Sequence, residues 1–301
     1  MALKSLTFSG EYPRAHAAVV FLKELALLTK PNVLVMNALM TLGGLAMASR
    51  MDVSLGLKTM VGTVLAIAAA GTLNMYLERD ADGLMKRTAD RPLPAHRIGA
   101  SVALISGLAM STLSILELYF LVNPLTCLLA IAALLIYVCV YTPMKYKSPV
   151  ALHVGSIAGA IPPLMGWTAA RNEIQVGGLV LFAILYFWQL PHVTAISIYR
   201  DDDYRRAGIK TLPVVVGKKR AALHGFVYTV LLFFVAMLPV VTGMAGLLYG
   251  VVSSIAFIYF FWSAAICLHD PFTENPRRMF LASLLYLPVI IVALALSRFL
   301  E

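Results

Sequence analysis

The stretch Asn74-Met75-Tyr76-Leu77-Glu78-Arg79-Asp80-Ala81-Asp82-Gly83-Leu84-Met85-Lys86-Arg87-Thr88-Ala89-Asp90-Arg91-Pro92-Leu93-Pro94 decides how the rest of the chain is read. It begins inside an apolar segment and leaves it through three acids and a fringe of bases. Asn74, Glu78 and Asp82 are four residues apart, so a continuing helix stacks them on one face. Three oxygen-bearing side chains in a column suit a hard cation such as Mg²⁺, which takes few carboxylates when it also holds phosphate. Arg79, Lys86, Arg87 and Arg91 suit an anion bridged by that metal. Such a column with its basic fringe at a membrane surface reads as a diphosphate site.

The surroundings of this stretch are apolar. Of the 301 residues 60% are hydrophobic and 13% charged, whereas a soluble domain carries about a quarter charged residues. Nine apolar runs, near 32–49, 56–78, 99–120, 124–141, 151–170, 176–198, 221–242, 245–268 and 279–299, are each long enough for a ~30 Å hydrocarbon layer. They lack the alternation of barrel strands, so helices are the spanning element. The fold expected is all-α and polytopic: a short N-terminal segment, 1–31, and a single membrane domain, 32–301, with loops at about 79–98 and 199–220 carrying the chemistry.

Placement of charge orients the spans. Of the 24 Lys and Arg, 20 fall in the N-terminal segment and in the loops after the even-numbered spans; Arg50, Lys58, Arg171 and Arg298 fall on the other side. Bases concentrate in cytoplasmic loops, which puts the N-terminus and the acidic loops in the cytoplasm and the C-terminus outside. The net charge of +9 is thereby accounted for by topology, and no nucleic-acid partner is expected. Cys127, Cys139 and Cys267 lie in or at the end of apolar runs without a Cys-x-x-Cys pair, and read as small buried hydrophobes. The polar, mixed start, with Glu11 and Glu24 among its bases, has no signal-peptide pattern; a bacterial or archaeal plasma membrane is the expected home. Asp201-Asp202-Asp203 and Lys210-Thr211-Leu212-Pro213 loosely echo Asp80, Asp82 and Thr88…Pro94 about 120 residues earlier. This hints at a duplication that sets two acidic helix ends face to face.

Together with Asn74–Pro94, the stretches Trp188-Gln189-Leu190-Pro191-His192 and Asp203-Tyr204-Arg205-Arg206-Ala207-Gly208-Ile209-Lys210-Thr211-Leu212-Pro213 resemble the protoheme IX farnesyltransferase (heme O synthase) branch of the UbiA superfamily of intramembrane prenyltransferases. The resemblance runs from Lys30-Pro31 onward. It implies that Asn74, Glu78 and Asp82 hold Mg²⁺ and the diphosphate, that Asp80 is an extra acid of the branch, and that Asp203 belongs to the second acidic site, four residues after Tyr199. Glu78 stands where the family usually has Asp, and His153 where Asn is expected. Tyr141-Thr142-Pro143-Met144-Lys145 resembles the family's Tyr-Thr-x-x-Lys motif, and Lys30 matches more weakly. The substrates implied are farnesyl diphosphate and a vinyl group of heme b, with heme O as product. Heme A synthase or oxidase assembly factors are candidate partners beside membrane lipid.

Several residues keep two readings. The bases Arg79, Lys86, Arg87, Arg91, Lys145 and Lys210 either clamp diphosphate oxygens or face lipid headgroups as topology determinants. His192 either joins two helices by a hydrogen bond or, with Trp188, meets the heme through its iron or its ring. Asp201 and Asp202 read as charge balance for Arg200, Arg205 and Arg206. A quinone- or chlorophyll-precursor prenyltransferase is the nearest rival. A transporter or non-catalytic heme-binding membrane protein is the alternative from another class, though the polar residues gather at one surface and not at mid-membrane.

Overall fold

A computed structural model describes residues 14–48 and 52–300, and every regular element among them is helical. Lys4, Glu11 and Arg50 of the sequence reading, and the side chains of Arg14 and Arg298, lie outside the described residues. Helix α1 (Arg14–Leu28) precedes α2 (Pro31–Ala48), α3 (Val53–Leu84), α4 (Ala100–Leu121) and α5 (Pro124–Leu135). A π-helical stretch, Ile136–Tyr141, and a last turn, Thr142–Met144, prolong α5. Then come α6 (Ala151–Arg171), α7 (Val176–Tyr199), the short α8 (Asp201–Arg206) and α9 (Leu212–Val216), α10 (Lys218–Ala236), α11 (Leu247–His269) and α12 (Asn275–Leu300).

Eight of these stretches are long and apolar enough to cross a membrane, so the chain is a multi-pass membrane protein. The ninth expected span, α6, is less apolar, although its 21 residues reach about 30 Å at ~1.5 Å per residue. Its position explains the difference. It starts beside the loop bearing Lys145, and at its far end Asn123, in the turn between α4 and α5, donates Nδ2 to the carbonyls of Thr168 (2.9 Å) and Ala169 (3.3 Å). It therefore runs the depth of the bundle, and Ala160 to Ala169 are all buried against protein. A helix enclosed by other helices has no need of a lipid-facing apolar surface.

Close approach of α2 and α6 replaces side-chain bulk at this central seam. A methyl group on Gly44 would meet the Pro163 carbonyl, and one on Gly166 the Thr41 carbonyl. Small residues permit this contact where lipid offers no hydrophobic driving force. A buried aromatic cluster built on Trp167, Trp188, Tyr249, Phe260 and Tyr286 joins α6, α7, α11 and α12. His153 ties three helices, its Nδ1 3.1 Å from the Tyr186 hydroxyl and its Nε2 3.1 Å from the Tyr228 hydroxyl. Cys127 and Cys267 are buried as expected, whereas Cys139 is exposed on the π-helical stretch, turned outward with its apolar neighbour Val140.

The element that positions the site is α3. Asp52 caps its start, accepting from the Ser54 amide at 2.9 Å, and the helix runs 32 residues, about 48 Å and well beyond a ~30 Å hydrocarbon layer. The loop expected from residue 79 therefore begins only at Met85. The surplus turns carry the acids out of the bundle's apolar depth without breaking their four-residue register.

Candidate active site

Continuation of α3 places Asn74, Glu78 and Asp82 on one buried face, at 0, 6 and 1% exposure. Each is met by a different base from a different part of the chain. Lys30 donates Nζ to the Asn74 amide oxygen, Lys145 Nζ sits against Glu78 Oε1, and Arg91 Nη1 donates to Asp82 Oδ2 at 2.7 Å. Local structure sets each partner. Lys30 occupies a left-handed turn (φ 55°) between α1 and α2, an uncommon conformation for a side-chain-bearing residue. That turn packs so closely on α3 that a methyl on Gly71 would come 2.9 Å from the Thr29 carbonyl.

The π-helical stretch serves the same purpose on α5. Pro143 has no amide hydrogen and crowds an α-helical carbonyl behind it; the wider turn accommodates it, with the Thr142 amide reaching back to the Tyr137 carbonyl. Thr142 Oγ donates to that carbonyl at 2.8 Å and accepts from Asn74 Nδ2 at 2.9 Å, which fixes the Asn74 amide so that its oxygen faces Lys30. Tyr137, Tyr141 and Lys145 then share the wall of a cavity, with the Lys145 ammonium 4.6 Å from the centre of the Tyr141 ring.

That cavity has a volume of about 450 Å³ and opens between α2, α3, α5, α6, α7 and α12. Six bases line it (Lys30, Arg87, Arg91, Lys145, Arg200, Lys210) against two acids, Glu78 and Asp82. The excess of positive charge in a partly dry setting favours a polyanion. Desolvation first, and the nearby Arg91 second, lower the Lys30 ammonium to about 7; an anion in the cavity works against both effects.

The two acidic loops do meet. The Lys86 amide donates to Asp203 Oδ1 at 3.2 Å, and Met85, Ala207 and Ile209 pack together beneath the contact. The Lys210 amide donates to the Lys145 carbonyl at 2.7 Å, which roofs the cavity with residues 209–212. Asp203 itself is held by the Lys86 amide and Arg206 at this seam, beside the cavity and not on its wall. Asp201, read from sequence as a solvated charge, is in fact 4% exposed; it pairs with Arg205 at 2.9 Å, and Arg205 reaches the Pro213 carbonyl, fastening the roof. Asp202 is exposed as expected.

Other candidates fall away from the cavity for reasons of helical phase. Asp80 lies about 200° round α3 from Glu78, with its side chain 91% exposed. Arg79 turns back to the Tyr76 carbonyl, 2.8 Å away, and the Lys86 residue is exposed. Trp188 and His192 face α12: the indole donates to the Ser283 carbonyl at 2.8 Å, His192 Nδ1 lies 2.7 Å from the Ser283 hydroxyl, and the two rings stack at 4.5 Å. The helix-joining reading of His192 is the one this geometry matches. Tyr199 does line the cavity. Tyr137 is not among the residues expected at the site from sequence, although the spacing Tyr137–Tyr141–Lys145 signals it; Thr142 is named there only within the Tyr-Thr-x-x-Lys motif and Arg200 only as a balanced charge.

The column passes a test for a divalent cation. Asp82 Oδ1 is buried and has no hydrogen-bond partner among the described residues, and the amide and second carboxylate stand on the same face. No three His, Cys, Asp or Glu among the described residues group closely enough to cage a metal alone. The donor set of one amide and two carboxylates suits Mg²⁺, which takes one or two carboxylates and completes its shell with phosphate and water.

A helical membrane bundle that closes at one end over an acidic column and a basic fringe has the architecture of an intramembrane prenyltransferase. The chain belongs to the UbiA prenyltransferase family, whose family model matches residues 37–287. It is 41% identical over 285 residues to the protoheme IX farnesyltransferase of Anaeromyxobacter dehalogenans, covering 94% of this chain and 97% of that one. Against the protein of the same name from Aquifex aeolicus it is 36% identical over 287 residues, covering 92% and 96%. The fold is similar to a digeranylgeranylglyceryl phosphate synthase (TM-score 0.78, 17% identity, 92% of this chain and 98% of that one). It is also similar to a UbiA homologue from Archaeoglobus fulgidus bound to DMAPP and Mg²⁺ (TM-score 0.68, 18% identity, 93% and 100%).

Proposed function

We propose that this prenyltransferase moves a farnesyl group from farnesyl diphosphate to a vinyl group of heme b, with addition of water, giving heme O. The observation that carries the diphosphate half is the column Asn74, Glu78, Asp82, each member buried and opposed by a base on a shared cavity. The naming of relatives 36–42% identical over most of the chain supports heme as acceptor. Asn74, Glu78 and Asp82 would hold Mg²⁺, which would supply charge neutralisation for the leaving diphosphate.

The chain's own residues do the rest. As the allylic carbon–oxygen bond breaks, its electron pair leaves with the diphosphate. Lys30, Lys145, Arg87 and Arg91 stabilise that charge from fixed positions. Lys145 now lies against the Tyr141 ring; once it turns to the phosphate, the faces of Tyr141 and Tyr137 are available to the allylic cation, which aromatic faces attract. The vinyl π-electrons form the new carbon–carbon bond, and water takes up the resulting cation with loss of a proton. Apolar residues such as Val33, Val193 and Ile196 keep water from the allylic cation until then. The site end faces the cytoplasm of a plasma membrane, in keeping with its concentration of bases.

The deciding experiment supplies purified protein with farnesyl diphosphate, Mg²⁺ and an equimolar mixture of heme b and a quinone-precursor aromatic acid. Heme O by mass is the expected sole product; prenylation of the aromatic acid alone would favour the sister activity.

A further inference from the structure

We propose that Arg200 selects the acceptor, its guanidinium taking a propionate carboxylate of the heme. This rests on the function proposed above and adds to it the residue that orients the porphyrin. Of the six bases lining the cavity, Lys30, Lys145 and Arg91 are engaged with the column. Arg87, Arg200 and Lys210 make no ion pair among the described residues. Arg87 and Lys210 are exposed side chains on flanking loops. Arg200 is different: it is half-buried, ends α7, and its guanidinium carbon lies 4.4 Å from the centre of the Tyr199 ring.

A guanidinium held over an aromatic face loses little freedom on binding, and it keeps the forked donors that match a carboxylate. The α7 wall carries no member of the acidic column. Val193 and Ile196 lead from Arg200 along that wall, an apolar strip suited to a flat ring. A porphyrin of the heme b type has both carboxylates on one edge and its vinyl groups toward the opposite side. Anchoring the carboxylate edge at Arg200 therefore turns the vinyl edge away from α7. A plain alternative exists, since a cation ending a helix also complements its dipole. A lysine fills that role equally well but has no fork.

The test compares heme b with its dimethyl ester, whose carboxylates are masked, in wild-type protein, Arg200→Gln and Arg200→Lys. Binding is read from the Soret band, and kcat and KM from heme O formation. In wild type, esterification is expected to weaken binding about tenfold or more, the worth of a charged hydrogen bond. Arg200→Gln is expected to lose a similar factor for heme b, to lose nothing further with the ester, and to leave KM for farnesyl diphosphate unchanged. Arg200→Lys, which keeps the dipole charge, is expected to recover only part of the loss, and serves alone should Arg200→Gln not fold. Losses that multiply, a raised KM for farnesyl diphosphate, or full recovery by lysine would each overturn the assignment. Soret binding is independent of turnover, so wild-type protein that binds heme b but makes no heme O would refute the proposed reaction and leave the Arg200 comparison readable.

Discussion

Asp82 is the residue on which the site turns, because it is 1% exposed, ion-paired through one oxygen and unpartnered through the other. Asp82→Asn keeps the shape and the contact with Arg91 but removes the charge. Turnover is expected to fall about 10²- to 10³-fold, the range for loss of one preorganised electrostatic group, while the thermal midpoint in detergent stays within about 2–4 °C of wild type. Near-normal kcat would remove Asp82 from the machinery. Glu78→Asp restores the family's usual residue but withdraws the carboxylate from Lys145, which packs against it here. A loss of less than about tenfold is expected, since a bridging cation tolerates a shift of one bond length better than loss of the charge; a loss as deep as that of Glu78→Gln would show the longer side chain to be required. Much of this column was legible beforehand because four-residue spacing is a property of sequence. The bases it meets were less so: Lys30 and Lys145 are 44 and 67 positions from the residues they touch, and only the fold brings them near. Phase on α3 already excluded Asp80 from the column's face, a point the family resemblance had obscured. His192 shows the opposite limit, since its neighbour Ser283 lies 91 residues away.

At the scale of elements, the seam between α2 and α6 and the length of α3 decide where the site stands. Gly166→Ala puts a methyl group against the Thr41 carbonyl, a backbone atom with no room to yield. Overpacking of this kind costs about 1–3 kcal/mol, so a lower thermal midpoint and lower yield in detergent are expected. Gly43→Ala, on α2 on the other side of the seam, has nothing within 4 Å of the added carbon and is expected to leave the midpoint unchanged. Equal effects from the two would mean that the seam is not tightly packed. The existence of these helices was readable from apolar run length. Their ends were not, because the tip of α3 is polar and looks like loop, the apolar residues of α1 are interrupted by Lys23 and Glu24 and run too short for a span, and the π-helical turn at Ile136–Tyr141 is a response to Pro143 and to packing.

Viewed as a whole, the molecule keeps its chemistry at one end, where the loops after α3, α5 and α7 interlock through the contacts of Lys86 with Asp203 and Lys210 with Lys145. The cytoplasmic orientation proposed for that end follows from charge alone and is open to a direct check. In a background with the exposed Cys139 replaced by Ser, Lys86→Cys is expected to react with a membrane-impermeant maleimide only in inside-out vesicles, and Val122→Cys only in right-side-out ones. The reverse pattern would invert the topology.

The account depends most on a metal-dependent grip on diphosphate by the α3 column. Calorimetric titration of the purified protein with a non-hydrolysable farnesyl thiodiphosphate addresses it directly. Tight binding is expected with Mg²⁺, little without it, and little in Asp82→Asn even with Mg²⁺. Binding of equal strength with and without the metal, undiminished in Asp82→Asn, would contradict the account.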